Sequence, residues 1–129
     1  MTMLYAIILG TLSAGFADWL FMGVLFHSRY NVFPEVWREG RGERGRILLV
    51  QAFALITAAG FVVLAAKLGQ TDLRGAVKLA AMIWLIGPLP LLLANALFIR
   101  VDHLVTATHA AGWLVKLLLI GAATAYFLS

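Results

Sequence analysis

Three ionisable side chains, Asp18, His109 and Lys116, and one amide, Asn95, sit inside otherwise apolar stretches of this 129-residue chain. A charge at the centre of a membrane-spanning helix costs roughly 2.5–3.5 kcal/mol or more, so such groups are paired or functional. In the last apolar stretch, Asp102, Thr106, His109, Trp113 and Lys116 follow one another at spacings of 4, 3, 4 and 3. These spacings place all five on one stripe of a helix. The stripe predicts a face turned to the bundle interior or to another subunit. At ~1.5 Å per residue, Asp18 lies ~12 Å from its helix end, between His109 at ~8 Å and Lys116 at ~18 Å, with Asn95 at ~6 Å. Asp18 is the one carboxylate in any of the apolar runs. Pairing it with Lys116 or His109 offsets the burial cost of both partners. The first and last runs are therefore expected to be neighbours, within a protomer or across a dimer. Two readings follow for Asp18, Asn95, His109, Trp113 and Lys116. One is an ion pair that fixes helix register. The other is a binding site, with Asp18 accepting a proton or cation, His109 relaying, and Lys116 acting as countercharge or anion ligand.

Other chemistry is poorly provided for. His27 and His103 flank the first and last runs, and with Arg29, Arg100 and Asp102 they suit a lipid headgroup. They do not suit a metal. His103 and His109 are six apart and share no helix face, there is no cysteine, and no HExxH is present. No cofactor is expected. GxSxG, P-loop and GxGxxG patterns are absent, so no catalytic residue is expected and a non-enzyme is favoured over an enzyme. Thr57 and Thr124 are expected to bond back to their own helix carbonyls.

The elements that must position these groups follow from composition. Apolar residues make up 63% of the chain and charged residues 12%, with a mean hydropathy of +0.95. A soluble fold this small has too little interior for them. Four apolar runs predict an all-α, integral-membrane four-helix bundle, one domain over 1–129, with helices over 4–26, 47–66, 77–99 and 104–128. About 20 residues cross a ~30 Å hydrocarbon core, so each run suffices. The first run lacks a Lys/Arg-rich start and exceeds a signal peptide's apolar core, which predicts a retained helix. Gly87-Pro88-Leu89-Pro90 predicts a kink in the third run, with a candidate cavity beside it. In the basic loop over 27–46, Phe33, Val36 and Trp37 predict a short interfacial turn beginning near Pro34. Gly10/Ala14, Ala54/Ala58, Ala107/Ala111 and Gly121/Ala125 permit close helix contact. The net charge of +4 sits between the apolar blocks and suits membrane topology, not nucleic acid. Arg29, Arg38, Arg41, Arg44, Arg46 and Arg100 fall on one side of the membrane, and Lys67, Arg74 and Lys78 on the other. The six-residue side is then cytoplasmic, and both termini lie outside.

The segment Gly15-Phe16-Ala17-Asp18-Trp19-Leu20-Phe21-Met22-Gly23-Val24-Leu25-Phe26, followed by Trp37-Arg38-Glu39-Gly40, resembles the start of a family of small bacterial membrane proteins, domain of unknown function 1761. The run from His109 through Gly112, Trp113 and Lys116 to Gly121 resembles that family's last helix. The chain departs from the pattern at Asp18, where an apolar residue is expected, and in the arginine-rich loop. The resemblance implies an integral bacterial membrane protein and carries over no functional residue; the expected location is the bacterial inner membrane. The expected function is a small oligomeric channel or transporter with a protonatable site at Asp18, His109 and Lys116. The alternatives are a non-catalytic accessory or lipid-binding subunit of a larger membrane complex, and a small membrane enzyme acting on a lipophilic substrate. Expected partners are membrane lipid, further copies of the chain, or a larger membrane protein.

Overall fold

The computed structural model describes residues 1–21 and 43–129. Among these residues the chain forms helices α1 (Thr2–Asp18), α2 (Glu43–Leu68), α3 (Leu73–Ile86), α4 (Pro88–Phe98) and α5 (His103–Leu128), with no strand. The segments α3 and α4 are two halves of one span, so four spans are long and apolar enough to cross a membrane. The fold is an all-α bundle of an integral membrane protein. Large apolar side chains such as Leu12, Leu48, Ile56, Leu97 and Phe98 stand on its outside. The interior is built of small ones, among them Ala14, Ala54, Ala58, Ala65 and Ala80, with Phe61, Leu117 and Ile120 between them. With lipid as solvent, apolar surface gains little by turning inward, and small residues let backbones approach.

The α5 helix is the hub, packing most extensively on α1 and α3. It runs antiparallel to α1. Tyr5 and Phe127 stack at 5.8 Å between ring centroids at one end, Gly10 faces Ile120 further along, and Phe21 lies over Gly112 at the other. Against α3, the bare Gly121 backbone approaches the Ala76 carbonyl, which would stand 3.3 Å from an added Cβ. The Trp84 indole N–H donates to the Ala110 carbonyl at 2.8 Å, a second tie between α3 and α5. Gly10, Ala14, Ala54, Ala58 and Gly121 all lie buried among these contacts, whereas Ala107 and Ala111 are exposed.

Among the described residues α2 runs from Glu43, so polar Glu43 to Arg46 are already helical ahead of the apolar run. It ends where Gly69 takes a left-handed φ of +68°. The Gly69 and Gln70 N–H groups then return to the Ala66 and Ala65 carbonyls, closing the helix and turning the chain into α3. The third run breaks at Gly87 (φ −120°, ψ −89°), and Pro88 opens α4. Pro88 and Pro90 have no N–H for the carbonyls four residues back, so the helix is kinked where the prolines fall. The Gly87 N–H still reaches the Ile83 carbonyl at 2.9 Å, and the Leu91 N–H reaches Gly87 at 3.2 Å. Beyond the kink, α4 buries none of its residues.

The first run differs from the regular helix expected over 4–26. Regular α-helix stops at Asp18, and residues 19–21 form a wider π-type turn. The remainder of that run, the interfacial turn at Phe33, Val36 and Trp37, and most of the basic loop lie outside the described residues.

Candidate functional site

Asp18 closes the last regular turn of α1, and Lys116 lies midway along α5. The Lys116 Nζ stands 2.9 Å from Asp18 Oδ1, with side chains 8% and 9% exposed. That distance falls within the range of a charge-assisted hydrogen bond, at its long end. The Trp113 ring, three residues earlier on the same face of α5, covers the ammonium with its centroid 4.0 Å away. The second carboxylate oxygen, Asp18 Oδ2, is buried and accepts no hydrogen bond among the described residues. Leaving a buried acceptor unsatisfied costs about 1–3 kcal/mol, more for a charged group.

The local backbone positions this pair. The Trp19 N–H still reaches the Gly15 carbonyl four residues back, shared with Phe16, and the wider turn over residues 19–21 follows directly after Asp18. Such wide turns recur at functional sites. Here the turn carries Phe21 onto Gly112. Between α1, α2 and α5 lies a cavity of about 260 Å³, with the ion pair in its wall. Phe21, Val50, Phe53 and Trp113 make it largely apolar, while His109, Thr57 and Thr108 add polar groups. The Thr108 hydroxyl donates to the Leu104 carbonyl at 2.7 Å and the Thr57 hydroxyl to Phe53 at 3.1 Å. Their oxygens keep acceptor capacity.

Of the residues singled out by sequence, Asp18, His109, Trp113 and Lys116 line this one cavity, and His109 stands within electrostatic reach of both charges. Asn95 does not join them. It is exposed on α4, which packs its residues against nothing deeply enough to bury them. Arg100 and His103 are exposed near the α4–α5 junction, and His27 and Arg29 lie outside the described residues. The buried line of α5 runs through Val105, Thr108, Gly112 and Lys116, so the stripe is rotated from the one centred on Thr106 and His109. The cavity also differs from the one expected at the proline kink. No residue from 87 to 90 lines it, and its walls come from α1, α2 and α5.

Sequence reasoning overlooked Gln51 and the cavity wall on α2. The Gln51 amide lies over Gly15, 2.5 Å from where a Cβ would be, one turn from Asp18 along α1. A lone amide in the charge-free run over 47–66 was the available signal. Val50 and Phe53 gave none, since an apolar residue in an apolar run does not reveal what it faces.

The fold and the buried pair define a small helical membrane protein with a charged site inside its bundle. Over residues 5–125 the chain matches the family described as a protein of unknown function (DUF1761), and it belongs to that family. No curated protein and no solved structure matches it.

Proposed function

We propose that this protein is a small membrane channel or carrier that takes up a proton at the Asp18–Lys116 pair, with His109 as the neighbouring relay, and moves it across the bilayer with or without a bound solute. One observation carries the reading: a buried ion pair that borders a cavity while one carboxylate oxygen lacks a partner among the described residues. A pair serving only to fix register is better built with both oxygens satisfied. Protonating Asp18 removes its charge and loosens Lys116, which gives the site two states of different contact.

The same reading sets the protein in a bacterial inner membrane with the arginine-rich loop in the cytoplasm and both termini outside. The six-to-three division of basic residues supports it. A second chain against α4 fits the reading, because Asn95 is an exposed amide on an otherwise apolar, wholly unburied helix. An accessory role in a larger complex draws on that same face. It predicts co-purification with a partner and no flux from the protein alone.

The test is proton flux into liposomes carrying a trapped pH-sensitive dye. The wild-type protein is expected to collapse an imposed pH gradient, and Asp18→Asn to abolish the flux. Equal flux from both, or none from either, overturns the proposal.

A further inference from the structure

The hydrogen-bonding capacity left over at the ion pair describes a ligand. An ammonium has three N–H donors. One reaches Asp18 Oδ1, and the Trp113 ring covers another approach. Asp18 Oδ2 is an acceptor without a donor among the described residues. The complement is one group that accepts from Lys116 and donates to Asp18, which is what a hydroxyl does. The pair is neutral as a whole, so a charged ligand would bring an uncompensated charge into a low-dielectric site.

Size and lining narrow the rest of the molecule. An apolar cavity of roughly 150 Å³ holds benzene, so the 260 Å³ here takes on the order of ten non-hydrogen atoms. Phe21, Phe53 and Trp113 offer ring-sized apolar walls. Val50 and Phe53 line the cavity and are also exposed on the outer surface of α2, which puts the mouth on the lipid side. Helices α2 and α5 both bound the cavity yet pack on each other only lightly.

We propose that this cavity binds a monocyclic, hydroxyl-bearing lipophile of the phenol class, entering from the bilayer between α2 and α5. Its hydroxyl donates to Asp18 Oδ2 and accepts from Lys116, and its ring lies against the aromatic wall. The torsion that swings a carboxylate about its last bond is broad, so the group turns to bring the buried Oδ2 to the cavity, and the flexible Lys116 side chain follows Oδ1 as it moves. This rests on the site being a ligand site, as in the carrier reading, and names the class of ligand.

Thermal unfolding of the full chain in detergent tests it, with 4-propylphenol as probe and propylbenzene, which lacks the hydroxyl, as control. A ligand that binds only the folded state raises Tm in proportion to its occupancy. Two charge-assisted hydrogen bonds predict that the phenol acts at concentrations on the order of tenfold or more below propylbenzene. That advantage is expected to vanish in the Asp18→Asn/Lys116→Met double variant. Val50→Trp, on the exposed rim, fills the mouth with the pair intact and should abolish both shifts, which keeps the test valid if the double variant does not fold. Equal action of the two probes, or a phenol shift unchanged by Val50→Trp, overturns the proposal and leaves only partition into the micelle or water in the cavity. Flux in liposomes separates the two claims. Phenol binding without Asp18-dependent flux removes the carrier reading alone, and Asp18-dependent flux without phenol preference removes this one alone.

Discussion

At the scale of single residues the Asp18–Lys116 pair has the most to lose. Removing one member strands the other in a low-dielectric interior, typically at a cost of ~3–5 kcal/mol, whereas replacing both with apolar groups can be nearly neutral. Asp18→Asn and Lys116→Met should each lower the unfolding midpoint, and the double change should recover much of the loss. His109→Phe should couple to Asp18→Asn less strongly than Lys116→Met does, since the 2.9 Å contact belongs to Lys116. Thermal melts of the four-member cycle decide this, and two single effects that simply add would dissolve the pair. The partnership was legible in the sequence because three costly groups in apolar runs leave few ways to neutralise one another. Which oxygen stays unsatisfied was not legible, since it depends on how the carboxylate is turned and on what packs around it in three dimensions. Asn95 carried the same kind of signal and led elsewhere, because depth along a helix says nothing about which way a kinked half-helix faces.

At the scale of elements, glycine contacts divide into two kinds with opposite expected outcomes. A Cβ at Gly121 would stand 3.3 Å from the Ala76 carbonyl, and that backbone cannot step aside without moving α3. Gly121→Ala is therefore expected to destabilise by about 1–3 kcal/mol through overpacking. A Cβ at Gly112 would meet Phe21 at 3.6 Å, an ordinary contact. Gly112→Ala should be neutral or stabilise by up to ~1 kcal/mol through helix propensity. Unfolding midpoints rank the two, and the reverse order would refute this account of α5 packing. The kink gives another case. Restoring two N–H donors with Pro88→Ala and Pro90→Ala should join α3 and α4 into one straighter helix, seen directly in a structure of the variant. The phenol-sized cavity should be unaffected, as none of its lining comes from that region. The kink was readable from two prolines. The helical state of residues 43–46 and the start at Leu73 were not, because polar residues that extend a helix into the interface look the same in sequence as a loop.

At the scale of the whole molecule, composition alone dictated the lipid-solvated bundle, and the structure shows why. Its outer surface carries the large apolar side chains and its centre the small ones, the reverse of a water-soluble core. Neighbour relations were only partly accessible. Adjacency of the first and last helices followed from charge pairing, whereas the close fit of α3 on α5 rests on Gly121, which the sequence marked for close contact without showing its partner, and on Trp84, which does not stand out in an apolar run. Orientation is testable by topology reporters. One fused after Ser129 should read as extracytoplasmic and one inserted at Gly42 as cytoplasmic. The opposite reading at both points would reverse the proposed orientation.

The ion pair joins two helices that leave the ribosome far apart in time. About a hundred residues separate Asp18 from Lys116, which at 5–20 residues per second is roughly 5–20 s of synthesis. Through that interval α1 carries a carboxylate whose cation has not yet been made. It must wait beside the insertion machinery, at the aqueous boundary, or against another polar chain, and it can settle at depth only when α5 arrives. The bundle is thus completed backwards, the last helix licensing the first. A chain halted before residue 103 should leave α1 shallow and easily extracted, a liability for biogenesis written into a single pair of side chains.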